Sequence, residues 1–375
     1  MNFTELVKTN FEMWKHSQLT NSKLVTVVAL GPPGVGKTSA GRQLAALMTE
    51  HVQRKNSNAG EAVIKVLDLS SMLPEDLMGL PFRDGSVTRY CPQSWMAPLC
   101  EEGAYGVLIL DDLPAASAQV QVACRQVSLE RRIHEMRLAP GIFIMVTGNR
   151  REDKSAATTL PAHFRNSVVI LPFQPDFKGW EEWYMAQGYE TDIPAFLHFK
   201  RSNFSRLPKD ADDNGSFATP RTWSMLGQVL PAVSEESLLE VASGLVGSGV
   251  ATEYAAFRLL RKELVSPEKV LEDPEKYLPN LSILDSPDRM IAMVTGIGEV
   301  AARLAKGNKS IPVLTQYLRA LAHVTSLKRE FIAVSISTFK ACRGSMKDLL
   351  LAARQGNNDP AIKTLVQYLA KTLES

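Results

Sequence analysis

The sequence predicts an α/β fold built on a five-stranded parallel sheet with helices on both faces, followed by a mainly helical second half. Three observations predict it. Five near-continuous apolar runs, Leu24–Leu30, Ala62–Leu69, Val107–Leu110, Ile142–Thr147 and Val168–Leu171, alternate with helical patterns; strands buried on both faces read this way. The first run leads straight into Gly31-Pro32-Pro33-Gly34-Val35-Gly36-Lys37-Thr38-Ser39, a match to G-x-x-x-x-G-K-[ST], and then into Leu44, Leu47 and Met48 at helical spacing. Strand, glycine loop and helix start are the context a P-loop requires. After Pro175 the strand-like runs give way to helices punctuated by Ser266-Pro267, Asp273-Pro274, Ser286-Pro287, Gly307 and Asp359-Pro360, which are helix starts and breaks.

Taken in order, residues 1–22 carry Phe3, Leu6, Val7, Phe11 and Trp14 at helical spacing, then a polar Thr20-Asn21-Ser22 hinge. They predict a short helix packed on the next domain. Residues 23–175 form the α/β domain, 176–232 a first helical part and 233–375 a second. Two insertions interrupt the α/β pattern. Ser71–Pro98 is rich in turn signals, with Asp84-Gly85 as a hairpin tip. Leu129–Gly141 places Arg131, Arg132, His134 and Arg137 just before the Ile142 strand.

The P-loop residues have a chemical reason. Glycines let successive backbone N–H groups turn inward around phosphate oxygens, and the helix beginning at Lys37 adds its positive dipole end. Lys37 is expected to reach the β- and γ-phosphates, and Thr38 to ligate magnesium. Gly106–Asp112 reads as a buried strand ending in two acids. Asp111 is expected in the magnesium shell. Asp112 either orients an attacking water or caps the helix begun by Leu113-Pro114. Thr147 and Asn149, at the end of the Ile142 strand, suit hydrogen bonding to a γ-phosphate or its water. Ligands of parallel sheets bind beyond the carboxyl ends of the strands; Gly31–Thr38, Asp111, Asp112 and Asn149 all fall there.

Arg221 follows a helix start, with Thr219 as cap and Pro220 at the first position. A cation there opposes the helix dipole, and a nearby phosphate would reverse that penalty.

Composition excludes other classes. Of 375 residues, 42 are Lys or Arg and 40 Asp or Glu, a net charge of +2, which argues against a generally basic nucleic-acid surface. No apolar run is long enough to span a bilayer and the polar start is no signal peptide. Four cysteines without a C-x-x-C pair read as reduced thiols, so a cytoplasmic location is expected. The six histidines have no zinc-site spacing. Asp210–Gly215 imitates the start of a calcium loop, but its twelfth position is Arg221 where a Glu is needed, so calcium is rejected.

On these residues the chain resembles AAA+ ATPases of the MoxR-like group. GPPGVGKT, the VLILDD strand end, VTGNR as sensor 1 and FATPRTW as sensor 2 occur in the family's order. PEDLMGLP is similar to its helix-2 insertion, ERRIHEMRLAPG to its pre-sensor-1 region, and LPAHFRNSVVILPF and PDFKGWEEWYMAQGY to further MoxR-like sequence. The resemblance implies a P-loop AAA+ sheet, an α-helical lid over 176–232 and a helical C-terminal domain. It implies ATP and Mg2+ as cofactors and a homo-oligomeric, usually hexameric, ring. It also implies a chaperone-like role beside a von Willebrand factor A-domain partner. Asp112 stands in place of the family's usual Glu, and Ser167 where an arginine is common. Arg165, two positions earlier, is the expected trans finger, with Arg131, Arg132 and Arg150 as alternatives. A nucleic-acid motor or loader, drawing on Arg131/Arg132/Arg137 and Arg150/Arg151/Lys154, is a second reading. A nucleotide-gated scaffold with little hydrolysis is a third.

Overall fold

The computed structural model describes residues 1–153, 158–208, 215–278, 286–305, 310–325, 330–342, 344–356, 359–360, 362–363 and 365. Lys154 and the acidic stretch Asp210–Asn214 lie outside them. The chain divides into two compact units, one ending at Asp176 and the other beginning at Phe177.

The first unit runs α1 (Phe3–Thr20), β1 (Val27–Leu30), α2 (Lys37–Lys55), β2 (Val63–Asp68), α3 (Pro74–Met78), β3 (Leu80–Asp84), β4 (Val87–Cys91), α4 (Ala97–Cys100), β5 (Tyr105–Asp111), α5 (Ala118–Arg125), β6 (Arg132–Ile133), β7 (Met136–Arg137), β8 (Gly141–Gly148), α6 (Ala162–Arg165) and β9 (Val169–Pro172). Five strands form one sheet in the order β2-β5-β8-β1-β9, and every neighbouring pair in it is parallel. This is the five-stranded parallel sheet that the sequence predicts, with the glycine loop leaving the carboxyl end of β1.

Alternation of side chains explains its two covered faces. Ile142, Ile144 and Val146 of β8 join Leu108 and Leu110 of β5 in a core shared with Leu77, Leu99, Val120 and Cys124. Phe143 and Met145 join Val107 and Ile109 on the opposite face, with Leu44 and Met48 of α2 and Leu6, Val7 and Trp14 of α1. Each such side chain, fully buried, stabilises the fold by roughly 1.5–3 kcal/mol. β8 is buried along its whole length.

Helix α1 starts in a capping box, Asn2 with Glu5, and ends at Asn21 in the left-handed region. The Trp14 indole Nε1 donates to the Gly141 carbonyl at 2.9 Å, tying the helix to β8. The first strand is shorter than the apolar run suggests. Leu24 is buried and Val25 exposed; the Thr26 carbonyl accepts from the Val169 amide at 3.0 Å, and the residue register starts at Val27.

Both insertions contain a hairpin, the first behind the short helix α3. β3 and β4 pair antiparallel about a tip at Asp84–Val87, with Gly85 at φ 60°. β6 and β7 pair likewise. The Tyr90 and His134 rings stack with centroids 3.7 Å apart, joining the two hairpins.

The second unit is helical. α7 (Phe177–Ala186), α8 (Asp192–Phe199), α9 (Pro220–Val229), α10 (Leu238–Val246) and α11 (Ser248–Glu263) pack around Trp180, Tyr184, Phe196, Trp223 and Tyr254. α12 (Pro267–Glu272), α13 (Pro274–Tyr277), α14 (Pro287–Leu304), α15 (Ser310–Thr325), α16 (Glu330–Ala341) and α17 (Met346–Gln355) surround a second core with Ile297, Tyr317, Leu321 and Phe339. Arg261 on α11 bridges the two sets, pairing with Asp192 at 2.6 Å and Glu299 of α14 at 2.9 Å.

Candidate functional site

The loop between β1 and α2 is shaped by its glycines. Gly34 and Gly36 sit at φ 71° and 96°, conformations that side chains avoid. Gly36 precedes the first turn of α2, so unpaired amides and the helix dipole converge there. Val35 is buried in the core beside α1 and leaves its backbone to the loop. Ser39 is exposed, and Pro32 is buried.

Lys37 is buried. Its Nζ donates to the carbonyls of Gly31 at 2.9 Å and Pro32 at 2.8 Å, and to Asn149 Oδ1 at 2.8 Å. Asn149 follows β8, so the central strand order brings it beside the loop. Thr38 Oγ1 donates to Asp111 Oδ2 at 2.7 Å. Thr147 Oγ1 donates to the other oxygen, Oδ1. Five of the residues singled out in the sequence therefore meet at one end of the sheet: Lys37, Thr38, Asp111, Thr147 and Asn149.

Thr147 departs from expectation. Its hydroxyl is engaged by Asp111 rather than turned to the phosphate side, because its parity in β8 faces it to α2 and to Asp111 of the adjacent β5.

Asp112 corrects the capping alternative. It lies in the left-handed region at φ 55°, and its side chain makes no cap hydrogen bond. Only a 3-10 turn, Leu113–Ala115, follows; α5 begins later under its own cap, Ser117. The turn is held by Thr158, whose amide and hydroxyl both donate to the Pro114 carbonyl. It also abuts β8: a Cβ on Gly148 would lie 2.3 Å from Pro114 Cδ. Glycine between Thr147 and Asn149 thus lets the Asp112 turn press against the Asn149 strand, a role that sequence spacing does not reveal.

The arginines separate. Arg165 ends α6, exposed, with no ion-pair partner among the described residues. Arg131 cannot be a finger. It is buried at φ 56°, its Nη2 donates to the carbonyls of Ala139 and Ile142, and burial pulls its guanidinium down to about 10. Arg132 pairs with Glu130 at 2.7 Å. Arg150 pairs with Glu152 at 2.7 Å and Asp153 at 2.8 Å, and the Asp153 hydrogen bond holds it above its ordinary range. Arg221, in the second unit, is exposed in the first turn of α9, whose start is a Thr219–Thr222 capping box with Pro220 at the first turn.

The donor set suits Mg2+ with a nucleotide: a hydroxyl and a carboxylate 2.7 Å apart are hard oxygen groups for a cation that also draws on phosphate and water. Among the described residues no cluster of three or more His, Cys, Asp or Glu forms a separate metal site.

No family model matches the chain, and no curated protein matches it in sequence. Among solved structures it is similar to the RuvB Holliday junction branch migration motor of Thermotoga maritima, at 14% identity over 73% of this chain and 76% of that one, with a TM-score of 0.36. It is similar to PCH-2 of C. elegans, at 15% identity over 68% of each chain and a TM-score of 0.32. A putative ATPase from Cytophaga hutchinsonii matches at 14% identity, over 65% of this chain and 86% of that one, with a TM-score of 0.28. Likenesses this distant say nothing of function. The fold assignment stands on the strand order and the P-loop.

Proposed function

We propose that this chain is a Mg2+-dependent AAA+ ATPase of the MoxR-like kind, assembling as a homo-oligomeric ring and coupling ATP turnover to remodelling of a partner protein. The observation that carries the reading is the meeting of Lys37, Asn149, Thr38 and Asp111 at the carboxyl ends of β1, β5 and β8. Lys37 would neutralise the β- and γ-phosphates, with Gly31–Ser39 supplying amides and helix dipole. Thr38 and Asp111 would hold Mg2+, which would supply positive charge against the phosphates. Asp112 would orient water from the turn that presses on Gly148.

The remaining roles extend this reading. Arg165 would serve a neighbouring protomer as the finger, and Arg221 would report phosphate to a lid over 176–232, with 233–375 as the C-terminal domain. The client is a von Willebrand factor A-domain protein or another protein, in the cytoplasm. No helix among the described residues is long and apolar enough to cross a membrane. A nucleic-acid motor is not favoured, since Arg131 is buried and Arg132 and Arg150 are paired.

Phosphate release from ATP with Mg2+, measured beside light scattering with and without nucleotide, tests the proposal. Turnover that disappears with EDTA and a nucleotide-dependent rise in mass are expected. Tight ATP binding in stable rings without turnover would instead favour the nucleotide-gated scaffold. Absence of nucleotide binding would overturn both.

A further inference from the structure

We propose that Thr147 is a positioning residue that fixes the Asp111 carboxylate for Mg2+; the inference rests on the ATPase reading above and deepens it. Asp111 is gripped on both oxygens, Oδ2 by Thr38 and Oδ1 by Thr147. The two grips differ in kind. Thr38 lies on the loop–helix junction and is itself a candidate metal ligand, so its hydroxyl has a second call on it when the metal binds. Thr147 is fully buried in the central strand, and among the described residues its hydroxyl bonds only to Asp111.

Position 147 is also where the pattern of β8 would place an apolar side chain. Phe143 and Met145 precede it on the same face, packed on Ile109 of β5 and on α2. A buried hydroxyl there costs free energy unless it is hydrogen-bonded, and Asp111, two residues beyond Ile109 on the same face of β5, supplies the acceptor. A β-branched side chain restricts χ1, so the strand backbone sets the direction of the hydroxyl. Thr147 then keeps the carboxylate plane fixed while Thr38 turns to the metal. Outer partners of metal-binding carboxylates act in this way, and losing one lowers metal affinity by roughly 10–100-fold.

The test compares Thr147→Val, which keeps shape and removes the hydroxyl, with Thr147→Ser, which keeps the hydroxyl. Affinity for fluorescent ADP is measured in the full chain with Mg2+ and with EDTA, and Mn2+ binding to the ADP-bound protein is followed by EPR. Thr147→Val is expected to weaken Mn2+ binding roughly 10-fold and to lose most of the Mg2+-dependent gain in ADP affinity, with EDTA affinity within about twofold of wild type. Thr147→Ser, which keeps the hydroxyl but frees χ1, is expected to retain most of the Mg2+-dependent gain and of the Mn2+ affinity, with EDTA affinity as in wild type. If Thr147→Val does not fold, Thr147→Ala takes its place. A valine or alanine variant with a wild-type metal-dependent gain overturns the proposal. So does an equal loss of affinity with and without metal, which would mark a general packing defect. Wild-type protein that binds no ADP in either condition overturns the ATPase reading itself, and the proposal with it.

Discussion

Asn149 Oδ1 accepts a 2.8 Å hydrogen bond from Lys37 Nζ, joining the end of β8 to the P-loop across 112 residues of sequence. An ammonium only donates, so the Asn149 carbonyl oxygen must face it. The Asn149 amide nitrogen is left as the donor for an anion.

Lys37→Ala is expected to remove productive ATP binding, with turnover falling roughly 100-fold or more. Asn149→Ala keeps the lysine and loses its strut, so turnover is expected to fall more than affinity. Labelled-ATP binding beside phosphate release separates the two. Equal effects on binding and turnover in Asn149→Ala would remove the special role of Asn149.

Asp112→Asn is expected to bind ATP normally and hydrolyse it far more slowly. Asn tolerates the left-handed conformation as Asp does, so its melting temperature should match wild type. Asp112→Glu lengthens the side chain at φ 55° and should cost about 1 kcal/mol of stability, read by urea unfolding. Unchanged turnover in Asp112→Asn would make the residue a conformational one.

Arg165→Ala is expected to leave nucleotide binding intact and remove turnover, because the side chain is exposed and has no partner among the described residues. Mixing it with Lys37→Ala creates interfaces with one intact pocket and one intact finger, so activity should partly return. Co-assembly shown by pull-down without any recovery would rule out Arg165 as a trans finger. Arg132 and Arg150 would be tested next; Arg131 is excluded by its burial.

Arg221→Ala removes a cation that opposes the dipole of α9, so the melting temperature of the nucleotide-free protein should stay level or rise slightly. The gain in melting temperature on adding ATP should shrink, by linkage. An identical gain in both proteins would separate Arg221 from the phosphate.

Much of this was legible in the residues. Strands buried on both faces announce themselves as apolar runs, and the sheet order then carries Lys37, Asp111 and Asn149 to one edge. Tertiary neighbours decided what was not legible. Leu113-Pro114 suggests a helix start, yet the chain makes one 3-10 turn, pinned by Thr158 and pressed on Gly148. Arg131 reads as a surface cation; only the carbonyls of Ala139 and Ile142 reveal it as an internal brace. The Thr147–Asp111 bond depends on the parity of two strands at once, which no single run of sequence displays.

The first helix has a practical consequence for anyone shortening this protein. Because Leu6, Val7 and Trp14 complete the core over Phe143, Met145 and Leu44, cutting the chain at residue 23 does not trim a tail. It strips one wall from the sheet, leaves the Gly141 carbonyl without its indole donor, and opens an oily face to water. Such a fragment should aggregate even though every residue of the phosphate loop is still present.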